Sequence, residues 1–244
     1  MSSTDSPQRL NAYGQPIGRD LPDWSPRLRP PRTPMRGRFC QVVPLDPAAH
    51  ASTLYALFAG APDRRSWTYL IDDLPDTEAA YRERLERQAA GDDPLFHTIL
   101  DAETGAPLGI ASYLRIEPVH GVIEVGHLHF GPSLQRKPAA TEAMALMMAR
   151  AFDELGYRRY EWKCDSLNAP SRAAALRYGF TFEGIFRNAV IVKGRSRDTA
   201  WFSVTDAEWP RLREAFQAWL APENFDAQGN QRRGLAEIRG GIAR

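Results

Sequence analysis

The residues between Leu134 and Glu142 could bind an anion. They read Leu-Gln-Arg-Lys-Pro-Ala-Ala-Thr-Glu, follow an apolar strand pattern and open a helix rich in Met and Ala. Backbone N–H groups at a helix N-terminus lack intrahelical partners, and the helix macrodipole favours negative charge there. Arg136 and Lys137 would add two positive charges, so this elbow (residues 135–141) suits a pyrophosphate. The same residues also fit an ordinary strand-to-helix turn with solvated cations.

Glu124 is the first candidate for a general base. It lies within the strand pattern from Val122 to Phe130, among apolar neighbours. Burial penalises the charged form of a carboxylate, which suits a group that accepts a proton near neutral pH. A solvent-facing Glu on an alternating strand is the alternative. Gly126 interrupts the same strand, and a Gly there often marks a bulge, which would open a cleft beside the strand.

Two further pairs of side chains could line the same cleft. Asn168 and Ser171 follow the next strand and begin a short helix. Both residue types are also favoured helix caps, so a capping role is expected as well. Trp67 and Tyr69 lie between two early helices. They form either a plug in the core or one wall of a substrate pocket that would favour a small or partly aromatic acceptor.

Composition excludes several classes of protein. The 244 residues include 31 basic and 30 acidic ones, and this balance offers no field for a nucleic-acid backbone. Cys40 and Cys164 lack ligand spacing, and His127 and His129 lack a third ligand, so neither a disulfide nor a metal site is predicted. No apolar run approaches the roughly 20 residues that span a bilayer, and no signal-peptide core is present. We therefore predict no membrane contact and a cytoplasmic location.

The pattern of elements predicts an α/β (α+β) domain with a mixed, mostly antiparallel central sheet flanked by helices. The predicted strands cover residues 38–45, 95–101, 108–116, 122–130, 159–165, 182–192 and 198–205. The predicted helices cover residues 47–58, 77–90, 139–155, 170–178 and 206–220, the last with a capping box of Thr205 and Glu208.

The chain divides into three predicted regions. Residues 1–36 hold seven of the nineteen prolines and form a Pro-rich arm, which we expect to be partly ordered and to wrap the domain. Residues 37–220 form the domain itself. Residues 221–244 are rich in Gly and Arg and are expected to form a loose tail.

The order and spacing of these motifs resemble the GCN5-related N-acetyltransferase (GNAT) superfamily, nearest to its RimJ/RimL-like branch of ribosomal-protein alanine acetyltransferases. The resemblance covers about residues 36–206. It rests on the Gln135-x-x-Pro138-x-Ala140 elbow, the Asn168-x-x-Ser171 pair and Gly179-Phe180. It implies a GNAT fold whose sheet is splayed at a bulged strand, acetyl-CoA as cosubstrate, and no metal.

The resemblance also implies roles for individual residues. In the family the elbow binds the pyrophosphate of acetyl-CoA, and the splayed strand binds the pantetheine arm through its backbone. The implied strand contacts are Leu128, His129 and Phe130, and the implied elbow contacts are Gln135, Arg136, Lys137, Ala139, Ala140 and Thr141. Asn168 resembles the family residue beside the cofactor arm, and Ser171 resembles the residue that protonates the departing thiolate.

Two positions depart from the family pattern. Pro138 stands where the family commonly has Gly, and Pro has no N–H to donate to a phosphate. Pro does suit the first turn of a helix, so the geometry can survive. The Tyr that many relatives use as general acid would fall at Ala175, which leaves Ser171 or water to supply that proton.

Together these features predict an acetyl-CoA-dependent N-acetyltransferase that acts on a primary amine of a protein N-terminus or a small molecule. Glu124 would assist deprotonation of the amine, and N–H groups near residues 128–130 would polarise the thioester carbonyl. Two alternatives stay open. One is a catalytically silent acyl-CoA-binding regulatory module, suggested by Pro138 and by the missing Tyr at Ala175. The other is an assembly protein that recruits partners through the arm and tail. The arm or the final hairpin could also form a homodimer interface.

Overall fold

A computed structural model describes residues 9–242, with ten strands and six α-helices in that range. The strands are β1 Arg9–Leu10, β2 Pro16–Ile17, β3 Met35–Arg36, β4 Cys40–Pro44, β5 Leu95–Asp101, β6 Pro107–Glu117, β7 Val122–Phe130, β8 Arg159–Asp165, β9 Thr181–Val192 and β10 Arg195–Thr205. The helices are α1 Pro47–Ala59, α2 Glu78–Ala90, α3 Pro138–Ala149, α4 Ala169–Arg177, α5 Trp209–Leu220 and α6 Leu235–Gly241. In the described part of the chain, no helix combines the length and apolarity needed to cross a membrane.

Eight of the strands form one sheet in the order β3-β4-β5-β6-β7-β8-β10-β9. Only β7 and β8 pair in parallel within it, and the other neighbours are antiparallel. The β9–β10 hairpin turns at Lys193 and Gly194, which have φ angles of 48° and 70° and so suit a tight hairpin turn. The parallel pair needs a crossover, which α3 supplies. The predicted mixed, mostly antiparallel sheet flanked by helices is confirmed.

Alternate residues of the strands bury side chains on opposite faces of the sheet. One face packs against α1 and α2, where Phe58 and Leu85 join Phe96 of β5 in a buried cluster. The other face packs against α3 and α5 in a larger cluster that includes Ile123 of β7 and Met144 of α3. The sheet therefore separates two layers of helices, and residues of β7 contribute to both layers.

Glu142 of α3 is a buried carboxylate that positions this helix. Its two oxygens accept hydrogen bonds from the backbone N–H groups of Arg38, Phe39 and Cys40, at 2.8, 2.6 and 2.8 Å. Gly37 packs so closely that an added Cβ would lie 2.2 Å from the carboxyl carbon. The second turn of α3 is thus fixed to the residues that lead into β4.

Residues 9–36 lie on the domain through specific polar contacts. Trp24 donates its indole N–H to the carbonyl of Val119 at 2.8 Å, and the Tyr157 hydroxyl donates to the carbonyl of Leu28 at 3.1 Å. The buried Arg150 donates to the carbonyl of Thr33 at 2.6 Å. Residues 1–8 of the predicted arm lie outside the described residues, and the predicted boundary at residue 36 stays a prediction.

The expectation of a loose C-terminal tail is wrong for residues 235–241, because they form α6. Leu235 and Ile238 are buried against the larger core cluster. Arg211 of α5 also donates to the carbonyl of Arg239 at 2.8 Å. The two apolar residues have helical spacing, which the high Gly and Arg content of this segment obscured. Residues 243 and 244 lie outside the described residues.

Two predicted helices differ in detail from the structure. The helix predicted for residues 139–155 ends as an α-helix at Ala149 and continues as a π turn over Arg150–Glu154. The helix predicted for residues 206–220 is α5, which begins at Trp209. Glu208 accepts hydrogen bonds from both the N–H and the hydroxyl of Thr205, so only half of the predicted capping box forms.

Candidate active site

The candidate site is a cleft where β7 and β8 separate. The two strands pair from Val122 and Arg159 to Val125 and Trp162, and both continue beyond the last pair. The resulting cleft has a volume of about 540 Å³. Its walls come from β7, β8, the start of α4, the β9–β10 hairpin and residues 69–71. The parallel pair of the sheet is thus the one that opens.

A β-bulge in β7 lies at the edge of the cleft. Gly126 pairs with Ser112 and His129 pairs with Ile110, so His127 and Leu128 together oppose one residue of β6. His127 has a φ of 49°, a conformation that is uncommon for residues other than Gly. The predicted bulge is confirmed, and it begins directly after Gly126.

The three predicted strand contacts have different environments. Leu128 lines the cleft. The His129 ring instead stacks on Phe58 at a centroid distance of 3.7 Å, and burial lowers its pKa to about 3. The carbonyl of Phe130 accepts a hydrogen bond of 2.8 Å from the Gln135 amide. Any role of His129 in the cleft therefore falls to its backbone, and the side chain of Gln135 already holds the end of β7.

The elbow presents cations and an uncapped helix start. Arg136 and Lys137 are exposed, and Lys137 is the N-cap of α3 without a side-chain capping bond. Pro138 occupies the first turn as expected, so it costs the helix no hydrogen bond. Arg136 has a φ of 61°, so the turn before the helix is tight. Around the start of α3, the N–H groups of Arg136 and Ala139 have no acceptor among the described residues, so two donors and the positive charges are available for an anion.

The remaining predicted elbow residues are less accessible. Ala139, Ala140 and Thr141 are buried, and the N–H of Ala140 donates to the carbonyl of Lys137 at 3.1 Å. The hydroxyl of Thr141 accepts a hydrogen bond of 3.0 Å from Arg177. The structure therefore leaves Gln135, Arg136 and Lys137 as the exposed side chains of the elbow.

Asn168 and Ser171 both line the cleft and both make capping contacts. Asn168 is the N-cap of α4, and its side-chain oxygen accepts a 3.1 Å hydrogen bond from the N–H of Ser171. The Ser171 hydroxyl accepts a 3.0 Å hydrogen bond from the indole of Trp162. The expected capping role is confirmed. Ala175, where many relatives have Tyr, is fully buried and offers the cleft no functional group.

Glu124 lies in the cleft, but the expectation of an isolated carboxylate among apolar groups is wrong. Its Oε2 contacts the guanidinium of Arg115 at 2.6 Å and the ammonium of Lys163 at 2.9 Å. The solvent-facing alternative is also wrong, because the side chain is only 4% exposed. Oε1 points toward the bulge and would lie 3.6 Å from a Cβ at Gly126. One oxygen is thus anchored while the other faces the point where the strands separate.

The ion pairs of Glu124 continue across the sheet. Lys163 also contacts Glu161 at 2.7 Å, and Glu161 contacts Arg159 at 2.6 Å. Arg159 then pairs with Glu183 of β9. Charges of alternating sign therefore run from the cleft to the edge of the sheet. A buried charge without a partner has a high desolvation cost, and these ion pairs offset that cost for Glu124 beside the cleft.

Trp67 and Tyr69 lie in different places. Trp67 is buried in the smaller core cluster, edge-on to Phe58 at 5.8 Å, as the core-plug alternative predicts. It does not line the cleft but a separate, smaller pocket beside His127, so its role toward a substrate stays a prediction. Tyr69 lines the cleft, and its hydroxyl donates to the carbonyl of Leu167 at 3.2 Å. Alternating polarity alone did not show how deeply each aromatic ring would lie.

The β9–β10 hairpin reaches over the cleft. Lys193 at its turn donates to the carbonyl of Trp67 at 2.8 Å and contacts the Asp73 carboxylate at 2.6 Å. Residues 186 and 189–192 of β9 line the cleft on this side. Over residues 9–242, no group of three or more His, Cys, Asp or Glu is arranged to hold a metal.

Comparison with known proteins identifies the family. The model for "Acetyltransferase (GNAT) domain" matches residues 41–181, more than half of the chain. The chain belongs to the GNAT acetyltransferase family. This GNAT protein is therefore an N-acetyltransferase by family, and the predicted resemblance is confirmed.

Individual relatives agree with this assignment. A crystal structure of a GCN5-related N-acetyltransferase from Brucella melitensis is 48% identical, covers 90% of this chain and 100% of its own, and has a TM-score of 0.88. A Bacillus subtilis (strain 168) protein named "Putative ribosomal N-acetyltransferase YdaF" is 26% identical over 59% of this chain and 78% of its own length. A RimL structure, titled a ribosomal L7/L12 alpha-N-protein acetyltransferase, is 21% identical with a TM-score of 0.59 over 70% of this chain and 93% of its own, and shows the shared fold.

Proposed function

We propose that this GNAT protein transfers an acetyl group from acetyl-CoA directly to a primary amine. The observation that carries the proposal is the position of Glu124, whose Oε2 is held by two cations at 2.6 and 2.9 Å while Oε1 faces the bulge. A carboxylate held in this way beside a cleft can hold an ammonium group and accept its proton. The relative from Bacillus subtilis is named a putative ribosomal N-acetyltransferase, which supports a protein amine as the acceptor. We propose a protein N-terminus, and a small amine stays the alternative.

The residues present fit acetyl-CoA. The uncapped start of α3 and the exposed Arg136 and Lys137 provide N–H groups and charge for a pyrophosphate. Leu128, Asn168 and Ser171 line the cleft between the separated strands, where an extended pantetheine arm would lie. When bound, the cosubstrate supplies an acetyl group activated as a thioester. Pro138 offers no N–H, so the backbone around it has one donor fewer for the phosphates.

Polar side chains of the cleft have different roles in the proposed reaction. Arg115 and Lys163 hold Glu124 so that Oε1 stays directed at the bulge, which restricts the acceptor amine to one approach. Glu124 accepts the proton that the amine loses. Ser171, oriented by its hydrogen bond from Trp162, is the hydroxyl available to return a proton to the leaving group. The hairpin above the cleft reduces the access of water to these groups.

The Glu124→Gln variant tests the proposal. We expect kcat, followed by release of CoA over a panel of peptides and small amines, to fall by about 100-fold or more, because an amide cannot accept the proton. Binding of acetyl-CoA, measured by calorimetry, should be unchanged. Glu117→Gln, on the exposed end of β6, is the matched control and should keep full activity.

Two results would contradict the proposal. If wild-type protein binds acetyl-CoA but turns over no amine in the panel, the chain is the silent binding module that Pro138 and Ala175 suggest. If Glu124→Gln keeps wild-type kcat, another group accepts the proton and the assigned role of Glu124 is wrong.

A further inference from the structure

Three basic side chains line the cleft, and they differ in how they are paired. Arg115 and Lys163 both contact the carboxylate of Glu124. Arg197 of β10 has neither an ion pair nor a side-chain hydrogen bond to any described residue. The nearest acidic residue in sequence, Asp198, instead accepts a hydrogen bond of 2.7 Å from the N–H of Asn188. A positive charge without a carboxylate partner therefore remains in the cleft.

Two N–H groups of the cleft wall are buried without an acceptor. They are Nε of Arg197 and the indole Nε1 of Trp201, both inaccessible to solvent in the described structure. A buried donor without a partner costs free energy, and such donors also occur elsewhere in the described structure, so they support a binding role for Arg197 only together with its missing ion pair. The β9 side of the cleft is apolar and includes Phe186 and Val190, while the other walls also carry polar groups, among them the carboxylate of Asp165. This environment strengthens the attraction of a guanidinium for an anionic oxygen.

The strand register places these donors on the side of the sheet that Glu124 occupies. Trp201 is directly opposite Lys163 on β8, and the Lys163 ammonium lies 3.8 Å from the Trp201 ring centre. Arg197 is four residues from Trp201 on β10 and so shares its face. The helix α3 packs on the opposite face, where Ile123 and Met144 meet. The unpaired cation is thus on the side from which the acceptor amine would approach Glu124.

We infer that Arg197 binds a carboxylate of the acceptor through the terminal nitrogens of its guanidinium, which have no partner among the described residues. The acceptor class is then an amine that carries a carboxylate, either a free amino acid or a peptide whose first residues include an acidic side chain. This inference rests on the proposed function, because it assigns the acceptor side of the same cleft. Glu124 would bind the amine end of the acceptor and Arg197 its acidic end.

Matched acceptor pairs test the inference. One pair is two alanine-initiated peptides that differ only in Glu or Gln at the second position, and the other is an amino acid and its primary amide. We expect wild-type kcat/KM to favour at least one carboxylate member by about 10-fold or more, the size of a charge-assisted hydrogen bond. The pair that shows the preference identifies the source of the carboxylate. Arg197→Gln should abolish this preference, and Arg187→Gln, exposed on β9, should retain it.

The other outcomes distinguish a failure of this inference from a failure of the proposed function. Equal wild-type turnover of both members in both pairs would overturn the inference and leave the transferase intact. A preference that survives in Arg197→Gln would overturn it as well. Weaker acetyl-CoA binding by Arg197→Gln with unchanged acceptor preference would assign the residue to the cosubstrate. Absence of turnover with every amine would refute the proposed function itself, and this inference with it.

Discussion

The Glu142→Gln variant should unfold much more easily than the wild type, because it disrupts the contact that fixes α3 to β4. The carboxylate accepts hydrogen bonds from three consecutive backbone N–H groups, of Arg38, Phe39 and Cys40. An amide presents only one accepting oxygen, and its NH2 group must face at least one of these donors. The variant therefore changes the hydrogen bonding of a buried site while keeping its volume.

The expected loss of stability follows from these contacts. One N–H group without an acceptor costs about 1–3 kcal/mol, and replacing two charged hydrogen bonds by neutral ones costs about 0.5–1.5 kcal/mol each. The free energy of unfolding should therefore fall by about 2–6 kcal/mol. With a urea m-value of about 3 kcal/mol/M, the unfolding midpoint would fall by about 1 M.

Urea titration followed by tryptophan fluorescence measures this loss. Glu78→Gln, a half-exposed residue that pairs with Arg82 on α2, is the matched control and should change stability by less than about 0.5 kcal/mol. Gly37→Ala offers a second route, because its added Cβ would displace the same carboxylate. Its effect should not add to that of Glu142→Gln. A loss below about 0.5 kcal/mol in Glu142→Gln would refute the reasoning.

Two further predictions concern pH and the proton donor. Burial lowers the pKa of His97, His127 and His129 to about 4, 4 and 3, so the unfolded chain binds more protons than the folded one below pH 6.5. The free energy of unfolding should fall by up to about 1.4 kcal/mol per histidine for each pH unit below that value. The His97→Gln variant should show a smaller slope. Urea midpoints that do not change between pH 5 and pH 7 would contradict this prediction. Ser171→Ala should lower kcat about 100-fold with unchanged acetyl-CoA affinity, as checked by CoA release and calorimetry, and an unaltered kcat would leave water as the donor.

Local signals in the sequence predicted most of the fold. The final hairpin forms as predicted, with its turn at Lys193 and Gly194, and Asn168 caps α4 as its residue type suggests. Gly126 marked the bulge that opens the cleft. Each of these signals depends on a few consecutive residues, so it can be identified from the sequence alone.

The parts that could not be predicted depend on contacts between distant segments. Glu124 lines the cleft, as the sequence predicted. Its partner Lys163 lies on β8, however, and reaches Glu124 only through the parallel pairing of β7 and β8. Arg115 has a φ of 46° beside an irregularity in the β6–β7 pairing, which no periodic pattern reveals. The depth of Trp67 likewise depends on α1 and β7 together. Tertiary contacts, rather than local preference, decide such positions.

Titration of the purified protein with acetyl-CoA in a calorimeter tests the central claim most directly. Wild-type protein should show saturable binding, and the double charge reversal Arg136→Glu with Lys137→Glu should weaken it by about 10-fold to 100-fold, because repulsion replaces two favourable contacts with the pyrophosphate. The same reversal of Arg64 and Arg65, both more than half exposed in the segment after α1, should bind like wild type. Absence of saturable binding, or equal binding by the two double variants, would contradict the account.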